Sequence, residues 1–106
     1  MQLEHENQKK LEKMILNVVG KHIDLGEYDV FFFGSRISGK GDAYSDIDLG
    51  IEGAQPVPPG ILAKIREEID ELPVLYRMDV IDFKATGKAF QLVAKSHIQM
   101  IHPKAA

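Results

Sequence analysis

The chain has 106 residues and a mass of 11.9 kDa, a length that predicts one domain, since domains usually hold about 100–150 residues. Hydrophobic residues make up 44% and charged residues 27%, the balance of a packed globular core and not of a disordered chain. Asp and Glu number 16 against 13 Lys and Arg, a formal charge of −3, so no global field draws the chain to a polyanion and a nucleic-acid groove is not expected.

Taken in chain order, the first signal is helical. Leu11, Met14, Ile15, Val18, Val19 and His22 recur at steps of three and four and predict a helix over residues 3–22, ended by Asp24-Leu25-Gly26. The polar N-terminus MQLEHENQKK lacks the apolar stretch of a secretory signal, and no apolar run approaches the ~20 residues of a membrane span. Both features predict cytoplasmic residence without membrane contact. The absence of cysteine removes disulfides, thiolate metal sites and thiol catalysis.

Tyr28 to Phe33 is a short aromatic and β-branched run that predicts a buried strand. Residues 34–45 form a linker of glycine and serine with room for a short helical turn. From Asp46 to Glu52 the residues alternate: Asp46, Asp48, Gly50 and Glu52 share one strand face, and Ile47, Leu49 and Ile51 the other. A proline- and glycine-rich loop, 53–60, leads to a second amphipathic helix over 59–72, stopped by Pro73. Val74 to Phe83 predicts a third strand, and Thr86 caps a last helix through Ile101 whose apolar side holds Phe90, Val93, Ala94, His97 and Ile101. The order helix, strand, strand, helix, strand, helix predicts an α/β (α+β) fold, a small mixed sheet of about three strands packed by helices. Periodicity leaves the strand order open.

The chemistry concentrates in Gly34-Ser35, a ten-residue spacer, and Asp46-Ile47-Asp48. Two carboxylates at i and i+2 on one strand face repel each other, and a divalent cation resolves that repulsion. Hard oxygen donors suit Mg²⁺, which binds through one or two carboxylates and completes its shell with water and phosphate. Taken alone, Asp-Xaa-Asp fits equally the solvated face of an edge strand. Gly34 permits close backbone approach to an anion, Ser35 adds a hydroxyl and Arg36 a permanent charge, although a Gly-Ser turn after a strand is more often only a turn. A third carboxylate comes from the third strand, where Asp79 and Asp82 lie three apart and so point to opposite faces. Position favours Asp79 and leaves Asp82 open. The four histidines, His5, His22, His97 and His102, have no zinc-site spacing. Glu67, Glu68, Asp70 and Glu71 read as a solvated helix face, Lys40 as a solvated side chain, and Asp42 to Gly50 lacks the spacing of a calcium loop.

Gly34-Ser35-Arg36, the ten-residue spacing, Ser45-Asp46-Ile47-Asp48-Leu49 and a later Asp79 in a hydrophobic strand together resemble the DNA polymerase β-type nucleotidyltransferase superfamily. Within it the chain is most similar to the minimal nucleotidyltransferases, which are often encoded beside a HEPN-domain protein as a toxin–antitoxin pair. The resemblance implies that Asp46, Asp48 and Asp79 hold two Mg²⁺ ions, with Asp79 also assisting deprotonation of the attacking hydroxyl. It implies that Gly34 and Ser35 contact the β- and γ-phosphates of a nucleoside triphosphate, ATP by expectation, with Arg36 a further phosphate partner. The implied reaction is in-line attack on the α-phosphate with pyrophosphate leaving. The implied acceptor is a hydroxyl of a HEPN-type helical partner, on which the protein acts as antitoxin. A contact-only binding module that neutralises such a partner, and transfer to a small molecule such as an aminoglycoside, stay open, as does the choice between homo- and hetero-oligomer.

Overall fold

A computed structural model describes residues 1, 3, 6–41 and 45–105. His5 and Asp42 lie outside the described residues. The elements are α1 (Gln8–His22), β1 (Tyr28–Phe33), α2 (Ser35–Ser38), β2 (Ile47–Gly53), α3 (Pro59–Asp70), β3 (Met78–Asp82), α4 (Lys88–Ala94) and β4 (Gln99–His102). One mixed sheet holds the strands in the order β3-β2-β1-β4. β1 runs antiparallel to both β2 and β4, and β2 runs parallel to β3 across the α3 crossover. Among the described residues no helix is long and apolar enough to cross a membrane.

Each boundary has a local cause. α1 starts at Gln8 because the Asn7 carboxamide accepts from the Lys10 amide at 3.2 Å, closing the first turn. α3 opens with Pro59 at its first position, where a missing N–H costs nothing, and ends three residues before Pro73. The predicted last helix is where the structure departs most from expectation. It is a two-turn helix, Lys88–Ala94, followed by a fourth strand, so the sheet has four strands and not three. Ser96 donates its hydroxyl to the Val93 carbonyl at 2.6 Å and the chain turns out of the helix there. Gln99–His102 then pairs with β1, satisfying an edge that a continued helix would leave open.

The two faces of the sheet differ. Val30 and Phe32 of β1, Ile47, Leu49 and Ile51 of β2, and Met78 and Val80 of β3 face α1 and α3, packing with Leu11, Ile15, Val19, Ile65 and Ile69 in the main core. The alternate residues, Phe31 and Phe33, form a small cluster with Phe83 on the opposite face. Gly50 makes this cluster possible, because a Cβ there would overlap the Phe31 ring. α4 lies over this second face. Phe90 packs edge-on to Phe33, with ring centroids 6.2 Å apart, and Lys95 pairs with Glu52 at 2.5 Å.

Candidate active site

β2 and β3 pair in parallel register with Asp48 opposite Asp79, so the two Cα atoms stand about one strand spacing apart, ~4.8 Å. Asp46, Asp48 and Asp79 share parity and lie on the face opposite the main core. Asp82 does not: it has the parity of Met78 and Val80, is 3% exposed, and turns inward. Its Oδ2 accepts from the Val57 amide at 2.8 Å and its Oδ1 from the Lys84 amide at 3.1 Å. Asp82 therefore fastens the proline-rich loop to the end of β3, and Asp79 is the carboxylate placed beside Asp48.

The three carboxylates are electrostatically joined. Burial, then the charge of Asp79, then that of Asp46, raises the Asp48 pKa above the ordinary carboxylate value. The Arg77 guanidinium reaches between the other two, 3.6 Å from Asp79 and 3.9 Å from Asp46. Arg77 is 76% exposed, so these contacts are weak, solvent-screened ones. Arg77 was absent from the site expected from sequence. Its signal was present, since it shares strand parity with Asp79 two residues on.

The glycine turn meets the carboxylates directly. Gly34 has φ +84°, and a Cβ on it would overlap the Asp48 carboxylate, so both backbone conformation and space require glycine. Gly34 starts α2, whose Ile37 and Ser38 amides both donate to the Gly34 carbonyl. The linker then folds back: the Gly41 amide donates to the Ser35 carbonyl at 3.0 Å, and Gly41 backs onto the hydroxyls of Ser35 and Ser45. Arg36 donates from Nε to the Ser45 carbonyl at 2.7 Å while its guanidinium lies 4.9 Å from the Tyr76 ring centroid. These contacts bring Ser35, Arg36 and Ser45, the residue before Asp46, to one end of the sheet.

Two clefts open on this arrangement. The larger, about 780 Å³, is lined by Asp48, Asp79, Arg77, Tyr76, Arg66 and Asp70 over an apolar floor that includes Phe33. The smaller, about 350 Å³, runs from Gly34, Ser38 and Lys40 to α4. Among the described residues no group of three or more His, Cys, Asp or Glu side chains is placed to hold a metal ion. The facing pair Asp48 and Asp79, all-oxygen donors with Asp48 destabilised as an anion by burial and then by its neighbours, fits a cation such as Mg²⁺, which takes one or two carboxylates and fills its shell with water and phosphate. Of the described histidines, His22 pairs with Glu68, His102 faces the Leu25 carbonyl at 3.0 Å, and His97 is exposed on the rim of the smaller cleft.

Aspartates paired across parallel strands thus lie beside a glycine–serine turn, and comparison with known proteins identifies the family that carries them. Residues 12–93 match the family described as nucleotidyltransferase domain, and the chain belongs to it. A probable protein adenylyltransferase, MntA of Haemophilus influenzae, is 31% identical over 78 residues, covering 74% of this chain and 68% of the relative. The fold is shared with a toxin–antitoxin crystal structure holding AMP-PNP, at a TM-score of 0.68 and 16% identity over 85% of this chain and 71% of that one. It is shared equally with a chain of the complex of a tri-AMPylated Shewanella oneidensis HEPN toxin and MNT antitoxin, at 0.68 and 16% identity over 90% and 71%.

Proposed function

We propose that the protein is a Mg²⁺-dependent adenylyltransferase that moves AMP from ATP onto a hydroxyl of a HEPN-type helical protein, as the antitoxin of that pair. The observation that carries this reading is the register of β2 against β3, which sets Asp79 beside Asp48 on the open face, next to Gly34. The Haemophilus relative and the toxin–antitoxin structures support the choice of nucleotide and partner.

In this reading Asp46, Asp48 and Asp79 hold the metal, which when bound neutralises charge on the transferring and leaving phosphates. Gly34 and Ser35 receive the β- and γ-phosphates. Arg36 adds positive charge and, through the Ser45 carbonyl, holds the loop that delivers Asp46. Asp79 orients the acceptor hydroxyl and takes its proton. The freed oxygen bonds to the α-phosphorus, the bond from that phosphorus to the α–β bridging oxygen breaks, and pyrophosphate carries the displaced charge away.

Co-expression with a HEPN partner encoded beside it, followed by intact mass measurement, tests the reading. A nucleotidyl increment on the partner should appear with the wild type and vanish with Asp46→Ala/Asp48→Ala. An unmodified partner held in a stable complex, insensitive to that double change, overturns catalysis in favour of inhibition by contact.

A further inference from the structure

α4 contributes no buried residue to the core, yet Phe90, 42% exposed, is its one ring and stands at the junction of the two clefts, lining both. Phe90 is held upright by Phe33 behind it and by Phe83, with centroids 6.2 and 5.6 Å away. The larger cleft is charged, with two acids, Asp70 and Asp79, and two guanidinium groups besides Asp48. The smaller one begins at Gly34 and Lys40 and continues over Phe33, Phe90 and Val93. Gly34 abuts the Asp48 carboxylate at the head of this smaller cleft, so a nucleotide whose phosphates rest on the outer side of that contact has the apolar wall within reach of its nucleoside.

We propose that the smaller cleft receives the nucleoside of the bound nucleotide, with the exposed surface of Phe90 as the platform for the base. This rests on the nucleotidyltransferase reading and adds a recognition element to it. The volume, about 350 Å³, lies within the ordinary range of small-ligand pockets. Of the polar groups there, Ser38 donates its hydroxyl to the Ser35 carbonyl and Ser96 to the Val93 carbonyl, which leaves Lys40 and His97 at the rim and the apolar wall of Phe33, Phe90 and Val93 between them. On that wall the base is held by ring contact with Phe90, which depends on its area more than on its hydrogen-bonding pattern.

Titration calorimetry in the presence of Mg²⁺, comparing AMP-PNP with inorganic tripolyphosphate, separates base from phosphate binding. Phe90→Ala should weaken AMP-PNP by about tenfold, a typical consequence of losing one base–aromatic contact, and leave tripolyphosphate unchanged. Phe90→Trp should bind AMP-PNP as the wild type does. Leu92→Ala, on the same helix but outside the cleft, should change neither affinity and so controls for loss of α4. An AMP-PNP affinity unaltered by Phe90→Ala, or equal losses for both ligands, overturns the base platform while leaving the nucleotidyltransferase reading intact. A wild type that binds neither ligand overturns both.

Discussion

The two faces of this four-stranded sheet are made from alternate residues of the same strands and do opposite things. On the face under α1 and α3, Phe32, Leu49 and Ile51 are fully buried among aliphatic side chains. On the other, Asp48 and Asp79 stand in an open cleft, covered by one short helix that buries nothing of its own. Apolar burial on one face outweighs the repulsion gathered on the other, so the closed face supplies stability and the open face spends part of it on chemistry.

Substitutions on each face should break this division in different ways. The largest effect is expected from Phe32→Ala on the closed face, a loss of about 3–5 kcal/mol in a domain whose total is commonly about 5–15 kcal/mol. Urea denaturation measures it, and a loss under about 1 kcal/mol would show that the closed face is not the stabilising one. Gly34→Ala comes next. It forces a side chain into left-handed backbone against the Asp48 carboxylate, at a cost of about 1–3 kcal/mol, and transfer activity should go with it.

The two aspartates of β3 give the most direct comparison. Asp82→Ala strips the acceptor from the buried Val57 amide and should cost about 1–3 kcal/mol, with transfer per folded molecule retained. Asp79→Ala should abolish transfer at nearly unchanged stability. Reversed outcomes would reassign the third carboxylate.

Smaller effects concern pH. Because its pKa is raised in the fold, Asp48 holds a proton more tightly in the native state than in the unfolded chain. Its contribution to stability is full below the ordinary carboxylate range and is lost as pH rises through the raised native value. Asp48→Asn should thus gain on the wild type as pH climbs from about 4 toward neutrality, read as diverging denaturation midpoints. Parallel midpoints would contradict the charge crowding. The smallest change is expected on the helical side, where hydrogen bonds from Lys21 and then His22 lower the Glu68 pKa. That exposed contact adds stability above the ordinary carboxylate range and loses it as pH falls through the lowered value, and Glu68→Gln should flatten this shallow acid limb.

Much of the fold was legible because the residues alternate or recur cleanly. Ile47, Leu49 and Ile51 against Asp46 and Asp48 gave both the strand and its faces, and the parity of Asp79 against Asp82 showed that only one of them can join the pair, a choice that needed the register of β2 against β3. β4 was not legible: Val93, Ala94, His97 and Ile101 satisfy a helical period, and four residues at a sheet edge carry too little pattern to contest it. Only pairing with β1, a long-range contact, decides that segment. Phe90 was missed for the same reason, whereas Arg77 had a readable signal in its strand parity with Asp79. Each becomes part of the site through what packs beside it, Arg77 between two carboxylates and Phe90 between two clefts.

β3 ends the strand order, and its outer side is met by a side chain instead of another strand: Arg66 of α3 donates from Nε and an Nη to the Val80 carbonyl, at 3.1 and 2.9 Å. Asp79 therefore rides on an edge strand of the sheet. Partial opening would silence the enzyme long before the core melts, turning one guanidinium on the back of a helix into a latch on activity. Arg66→Ala should make the β3 amides exchange with solvent faster than those of β1 and lower the temperature at which transfer stops, while far-ultraviolet circular dichroism at that temperature still reports a folded chain. Uniform exchange across the sheet would show that no such latch exists.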